Sequence, residues 1–228
     1  MAGHQGAEGG TAVRTTVISA CLAGFFLLTG CLGSVPPVER YLRVETVTTG
    51  CAEGRANAAA VKPVVVAVME LTALDNLDRP AVLVADGNVL VPSTRWYWEG
   101  APQDVVGAGI IRAVNCLPDV AGVLKYRPRV EHQAVLAGSV TAFNVQRKNG
   151  LRFLAGVRLE IWTKDARRLV ASREFRAEIP VASETPEAIA DAASQVVSDI
   201  AAAAADWLAT GTGGPLAAAV TGEVEQGK

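Results

Sequence analysis

Two segments in the second half of the chain alternate apolar and polar residues, the pattern of β-strands with one buried face. In residues 151–162 every odd position is apolar, and Arg152, Arg158 and Glu160 occupy even positions. Residues 169–181 repeat the alternation. An apolar extended segment, residues 134–147, precedes an Asn-Gly pair that suits a tight turn. These three segments predict an antiparallel meander with one solvent-facing side.

The first half of the chain predicts shorter strands. Residues 41–47 read as a short strand, and the β-branched run at 63–71 is typical of a strand buried on both faces. Residues 81–85 and 88–98 flank an Asp-Gly pair, which favours a hairpin turn.

Two segments have helical periodicity. Residues 102–116 begin with a proline and repeat apolar residues on one face. Residues 186–210 follow the capping hydroxyl of Thr185 and end before Gly211. The sequence thus predicts an α+β fold, a mainly antiparallel sheet covered on one face by two helices. We expect one domain over residues 41–210 and a disordered tail over 211–228.

The N-terminal segment predicts a secretory signal with a lipid attachment site. Residues 15–28 carry no charge, and fourteen residues are too few to span a bilayer, which takes about 20. The segment ends with Leu28, Thr29, Gly30 and Cys31, which resembles the lipobox of bacterial lipoproteins. We therefore expect residues 1–30 to be a lipoprotein signal peptide and Cys31 to be acylated. The alternative is a free cysteine at the end of a buried or membrane helix.

Acylation at Cys31 would tether the domain to a membrane. Two or three acyl chains give stable anchoring, whereas one gives marginal binding. Residues 31–40 form a short tether, and the nine residues after Cys31 reach no more than about 30 Å. Leu32, instead of Asp, follows the cysteine and favours the periplasmic face of the outer membrane over the inner membrane.

Two cysteines, Cys51 and Cys116, remain beyond the lipobox. In an oxidising compartment they are candidates for a disulfide, which the chain-entropy model values at about 4 kcal/mol. The alternative is a pair of unbonded buried cysteines.

Composition and motifs give no sign of catalysis. The net charge of -2 and the lack of any block of five like charges argue against nucleic acid as a partner. His132 is the one histidine after residue 30, and no CxxC, HExxH, GxSxG or Walker pattern occurs. We therefore predict no catalytic residue, no metal site and no cofactor, with His132 as an ordinary loop or strand-end side chain.

An aromatic cluster at the end of the predicted strand 88–98 is a candidate contact for lipid or a protein partner. Arg95, Trp96 and Trp98 are its candidate contact residues. The alternative is that at least one of the two tryptophans packs in the core.

The order of motifs resembles the ABC-type transport auxiliary lipoprotein family. A lipobox is followed by the strand YLRV, by VVVAVMEL, by LDNLDRPAVLV and by RWYWEG before a helix. Leu77, Asp78, Arg79 and Pro80 match one family segment, where Asn76 replaces the usual aromatic residue. Arg95, Trp96 and Glu99 approximate a second segment that has an extra aromatic inserted here.

The resemblance implies a non-enzymatic lipoprotein working with a mammalian-cell-entry (MCE) type lipid shuttle and its inner-membrane ABC complex. The sequence is also compatible with a homo-oligomer. Two other classes stay open. One is a structural lipoprotein scaffold for secretion or envelope assembly, and the other is an anchored hydrolase, which would need His132 beside a serine and a carboxylate.

Overall fold

Nine strands and three helices occur in the part of the chain that the structure, a computed structural model, describes: residues 39–47, 64–209 and 214–222. The lipobox, Cys31 and Cys51 lie outside these ranges. The strands are β1 (Arg40–Leu42), β2 (Val64–Val68), β3 (Thr72–Ala73), β4 (Ala81–Asp86), β5 (Val89–Trp98), β6 (Val120–Lys125), β7 (Ala134–Gln146), β8 (Arg152–Thr163) and β9 (Leu169–Pro180). The helices are α1 (Pro102–Asn115), α2 (Pro186–Ala209) and α3 (Pro215–Thr221).

Strand β7 organises the sheet. One of its edges pairs antiparallel with β8, and β8 pairs antiparallel with β9. The other edge takes β2, β3 and β4 in succession, all parallel to β7. At the margins β6 is parallel to β2, β5 is antiparallel to β4, and β1 is parallel to β5.

The predicted α+β class and the mostly antiparallel sheet are confirmed. The parallel pairs along β7 were not predicted, because the alternation of apolar residues shows which face is buried and not the direction of the neighbouring strand. Strand β6 was also missed, because residues 120–125 are short and carry no alternation.

Helix α2 buries the apolar face that its sequence predicts. The apolar residues that recur with helical spacing along it are each at most 2% exposed: Ile189, Ala193, Val196, Val197, Ile200, Ala204 and Leu208. The helix packs on β8 and β9 and against α1, while α1 packs on β6 and β7. Coverage of a single sheet face by both predicted helices stays a prediction.

A third helix, α3, corrects the predicted number of helices and part of the predicted disordered tail. It begins at Pro215 and ends before Gly222, whose φ of 76° is the left-handed conformation that glycine favours. Leu216 and Ala219 are buried, and the Arg168 guanidinium donates to the carbonyl of Gly222. Seven residues give too few turns for helical periodicity to be recognised in the sequence.

Gly138 in β7 lies where the chain passes very close to β8. A Cβ at this position would collide with the backbone carbonyl oxygen of Arg158 and lie 2.9 Å from Leu159 Cδ2. Because backbone cannot move aside as a flexible side chain can, we expect Gly138→Ala to lower the free energy of unfolding by about 1–3 kcal/mol. Urea denaturation of the purified protein measures this loss.

Gly122→Ala in β6 is the matched control. Among the described residues, no atom lies within 4 Å of a Cβ built on Gly122. This variant should keep the wild-type stability or gain up to about 1 kcal/mol, because alanine reduces the entropy of the unfolded chain. Equal midpoints for the two alanine variants would contradict the close approach of β7 and β8.

Candidate functional site

The two segments that carried the family resemblance meet in the structure. The carbonyl of Pro80 accepts a hydrogen bond from the Trp98 backbone N–H at 2.5 Å. Leu77 is buried at 3% exposure, and Asp78 Oδ1 accepts from Gln103 Nε2 of α1 at 2.5 Å. The two segments therefore build the junction between β4, β5 and the start of α1.

Glu99 connects the end of β1 and the residues after it to this junction through hydrogen bonds. Its backbone N–H donates to the Leu42 carbonyl at 2.9 Å. Its carboxylate accepts from the Val44 N–H at 3.1 Å and from Arg43 Nε at 3.2 Å. One residue thus holds the end of β1 and the two residues that follow it.

Residues 43–47 run on from β1 without joining the sheet, although a strand was predicted to 47. Their backbone N–H groups bond to side chains of α2 instead: Glu45 N–H donates to Ser194 Oγ at 3.0 Å, and Val47 N–H donates to Ser198 Oγ at 3.1 Å. The two hydroxyls in turn donate to the carbonyls of Ala190 and Ser194. Both serines are therefore occupied in structural hydrogen bonds, which is unlike an activated nucleophile.

A cleft of about 590 Å³ lies between residues 40–47 and the first half of α2. Its rim carries an exposed ion pair, Arg40 with Glu187 at 3.5 Å, and its lining includes Asp191 and Gln195. Exposed ion pairs contribute about 0–1 kcal/mol to stability. The lining is both polar and apolar, which suits binding a partner surface.

A second cleft, of about 330 Å³, lies between α1 and the ends of β2 and β6. It is mainly apolar, with Ile111 38% exposed on α1. The ion pair of Glu70 with Lys125, 3.2 Å apart, stands at its rim. The first cleft is lined by Ser194 and Ser198 as well as Asp191, but both serine hydroxyls donate to backbone carbonyls of α2.

The predicted contact residues Arg95, Trp96 and Trp98 have different surroundings. Trp98 is 1% exposed and packs edge-on against Phe143 and Phe153, at 4.9 and 5.6 Å between ring centroids. It belongs to the core, which corrects its proposed role as a lipid or partner contact. Arg95 is exposed and Trp96 half-buried, so these two stay candidates for a contact.

His132 is held by two backbone carbonyls. Its Nδ1 lies 2.6 Å from the Val130 oxygen and its Nε2 lies 2.9 Å from the Lys164 oxygen. Each ring nitrogen is therefore within hydrogen-bond distance of a backbone carbonyl. The side chain is 9% exposed and joins the loop before β7 to the turn after β8. Both nitrogens are engaged, so His132 is not oriented as a catalytic base.

We expect His132→Ala to destabilise the protein by about 1–3 kcal/mol, because it removes the part-buried imidazole that links the loop before β7 to the turn after β8 through these carbonyls. Thermal and urea denaturation measure the loss. Glu131→Ala is the control, since its side chain is exposed and the change should stay within about 0.5 kcal/mol. Equal stability of the two variants would show that the His132 contacts contribute nothing.

Two shifted pKa values lie in turns and not in a site. The hydrogen bond from Thr163 lowers the pKa of Asp165, helped by the Arg167 backbone N–H. The hydrogen bond and charge of Glu184 raise the pKa of Arg147. Both groups are exposed: Asp165 supports its own turn, and Arg147 links the end of β7 to the loop before α2. Within residues 39–47, 64–209 and 214–222, no three His, Cys, Asp or Glu side chains gather in a way that could hold a metal ion.

None of the helices in the described ranges is long and apolar enough to cross a membrane.

The family model for the ABC-type transport auxiliary lipoprotein component matches residues 50–205. The chain belongs to this family. The matched residues include the junction of the two motif segments and most of the α1–α2 pair. They also include most of the residues that line the two clefts. The resemblance seen in the motifs is thus confirmed, and the domain is an auxiliary lipoprotein component of ABC-type transport.

Solved structures show the same fold for this auxiliary lipoprotein component. Protein XCC0632 from Xanthomonas campestris is 19% identical with a TM-score of 0.63, and the alignment covers 74% of this chain and 93% of that one. A second structure, of an uncharacterised protein, is 13% identical with a TM-score of 0.56, covering 74% and 97%. At these identities the likeness concerns the fold alone. No curated protein matches the chain significantly.

Cys116 of the auxiliary lipoprotein lies just after α1 and is disulfide-bonded. Cys51 lies outside the described residues, so its pairing with Cys116 stays a prediction. A mass measurement under non-reducing conditions that finds two free thiols would contradict it. Leu28, Thr29, Gly30 and Cys31 also lie outside the described ranges, and lipidation stays a prediction from the lipobox.

Several residues that shape the candidate site were not predicted from the sequence. Ser194 and Ser198 are examples, because no local signal relates them to residues 45 and 47. The exposed apolar residues Val89, Leu90 and Val91 could have been noticed, because three apolar residues directly follow a turn.

Proposed function

We propose that this protein is a lipid-anchored, non-catalytic component of an MCE-linked system that moves phospholipid or a related apolar molecule between membranes. The match to the ABC-transport auxiliary family is the observation that carries the proposal. In this role an MCE-type shuttle and its inner-membrane ATPase and permease are the partners. The transported lipid passes through those partners and is not chemically changed here.

The junction at Glu99 supports a tethered role. Glu99 and the serines of α2 fix residues 42–47 to the folded domain, directly behind the proposed tether. A force transmitted from Cys31 would therefore act on a segment that several hydrogen bonds hold to the domain. The position of Leu32 after the cysteine supports the periplasmic face of the outer membrane as the anchoring site.

The described side chains also support a binding role over an enzymatic one. His132 is committed to two backbone carbonyls, and the cleft serines donate to backbone carbonyls of their own helix. The two clefts, of about 590 and 330 Å³, offer a mixed surface and an apolar surface for docking.

A gentle-detergent pull-down from native membranes tests the proposal, with mass spectrometry of the proteins and lipids that come along. We expect an MCE-type protein, its ATPase and permease, and phospholipid, all above the level recovered with an unrelated outer-membrane lipoprotein as bait. Recovery of secretion or envelope-assembly proteins without any MCE-type protein would favour the scaffold alternative. Separation of the two membranes by density would then decide which one holds the protein.

A further inference from the structure

The end of the β4–β5 hairpin exposes three consecutive apolar side chains. Val89, Leu90 and Val91 are 62%, 41% and 54% exposed. Successive residues of a strand point to opposite faces, so β5 is exposed on both faces at this end of the hairpin. Isolated apolar residues are common on protein surfaces, but a contiguous group indicates a contact. We refer to these three residues as the hairpin tip.

The hairpin tip points to the side from which the tether arrives. Strand β4 runs toward the turn at Gly87 and Asn88, and β5 runs back from it. Strand β1 is parallel to β5, so the chain enters β1 from the side of that turn. Tyr41 pairs with Tyr97, which pairs with Ala81, and Ala81 is five residues before Asp86. The tip therefore extends about 17 Å beyond the level of β1.

The length of the tether places the tip close to the membrane that would hold Cys31. The eight residue steps from Cys31 to Glu39 reach at most about 27 Å. Because Glu39 precedes Tyr41 by two residues, the tip is about 10 Å beyond the level of Glu39, and even a fully extended tether leaves at most about 17 Å between the tip and the anchoring surface. A shorter path of the tether brings the tip closer to this surface.

The chemistry around the tip suits a bilayer surface. The exposed Lys148 of the adjacent β7–β8 turn has its Cδ 3.9 Å from the position of a Cβ on Gly87, so a cationic side chain lies beside the turn that leads into the tip. Apolar side chains next to a cation match the border between acyl chains and phosphates. One carboxylate, Asp86, also lies at this turn, and it interacts electrostatically with Arg147.

Addition of a partner strand along β5 is less well supported. Pro92 directly follows the tip and has no backbone N–H to donate to a neighbouring strand. Proline on an edge strand is a feature that prevents edge-to-edge pairing.

We propose that Val89, Leu90 and Val91 are a second contact with the bilayer that holds the lipid anchor. This inference rests on the proposed function, because it needs acylated Cys31. With two separate contacts, the acyl chains and the hairpin tip, the domain is held in one orientation on the membrane. The two clefts then face a fixed direction toward a docking partner.

Tryptophan substitutions in the acylated full chain test the contact. Leu90→Trp places a reporter at the tip. Leu169→Trp is the matched control, because Leu169 is similarly exposed, at 39%, and pairs with Trp162 near the opposite end of the sheet. Each protein is reconstituted in phosphatidylethanolamine–phosphatidylglycerol vesicles with or without bromine on the acyl chains, and the emission of the unsubstituted protein is subtracted. We expect bromine to remove the added emission of Leu90→Trp and to leave that of Leu169→Trp.

The outcomes of this experiment distinguish a failure of the tip contact from a failure of the lipid anchor. Protein that floats with the vesicles but shows equal quenching for both reporters overturns the tip contact alone. Protein that does not float overturns the lipid anchor and the tip contact with it. An emission shift of Leu90→Trp without vesicles that grows with protein concentration shows that a second copy covers the tip, which also overturns the proposal. Val89→Trp serves as a second reporter at the tip with the same expected result.

Discussion

Replacing Cys31 by serine is expected to move essentially all of the protein from the membrane fraction to the soluble fraction. The reason is the loss of the thiol that would carry the acyl chains, each buried methylene of which contributes about 0.8 kcal/mol to membrane binding. The three residues of the hairpin tip are too few to replace two or three acyl chains. Fractionation of cells with immunodetection measures the shift, and the soluble variant should keep its fold.

Cys51→Ser is the control for this experiment. It makes the same chemical change beyond the lipobox and should leave the protein in the membrane fraction. Recovery of the Cys31→Ser variant in the membrane fraction would contradict the lipoprotein interpretation. A wild-type mass that shows residues 1–30 retained and no acyl chains would contradict it independently.

Trp98→Ala is expected to cause the largest loss of folding stability, about 3–5 kcal/mol. The indole is 1% exposed and contacts Phe143 and Phe153, which also contact each other edge-on at 5.0 Å. Its removal would leave a cavity at the centre of the three-ring cluster, beneath the junction of β4, β5 and α1. Urea denaturation with tryptophan-independent detection, such as far-ultraviolet circular dichroism, measures the loss.

Trp98→Phe separates packing from hydrogen bonding at this position. The indole Nε1 is buried and has no hydrogen-bond partner among the described residues. A phenyl ring keeps most of the packing and removes a donor that has no acceptor, so its cost should be much smaller than that of alanine. If phenylalanine destabilised the protein as much as alanine, the indole N–H would have a bonding role that the structure does not show.

The sequence predicted those parts of the fold that depend on local periodicity. The odd residues Phe153, Ala155, Val157, Leu159 and Ile161 of β8 are all fully buried, as their alternation indicates. The apolar face of α2 is buried for the same reason. The Asp-Gly hairpin between β4 and β5 and the Asn-Gly turn before β8 follow from the positive φ of Gly87, Asn149 and Gly150.

Features that depend on distant contacts could not be predicted. The parallel pairing of Val66 with Ala134 and of Leu83 with Asn144 joins segments about sixty residues apart, and their side-chain pattern is the same for either direction. The burial of Trp98 depends on Phe143 and Phe153, which come from other strands. An aromatic residue beside an arginine has the same local sequence whether it is in the core or at a surface.

The candidate site also has parts that the sequence predicts and parts that it does not. The lipobox and the family segments can be recognised because each is a short continuous stretch. The attachment of residues 43–47 to the domain cannot be recognised in this way. Glu99 and Ser194 are 55 and 149 residues away in the sequence from the backbone N–H groups whose hydrogen bonds they accept. A hydroxyl on an amphipathic helix shows no preference for a distant backbone partner until the fold brings them together.

The pairing of β7 with strands far apart in the chain has a consequence for the order of folding. Strand β2 is buried and finds its partners only in β6 and β7, which are synthesised more than fifty residues later. The β4–β5 hairpin and the β7–β9 meander have local contacts and can form early, whereas β2 must wait for loop closure, which slows folding. Until β7 is available the chain thus presents an unpaired valine-rich strand, and this interval is when a chaperone would be most needed.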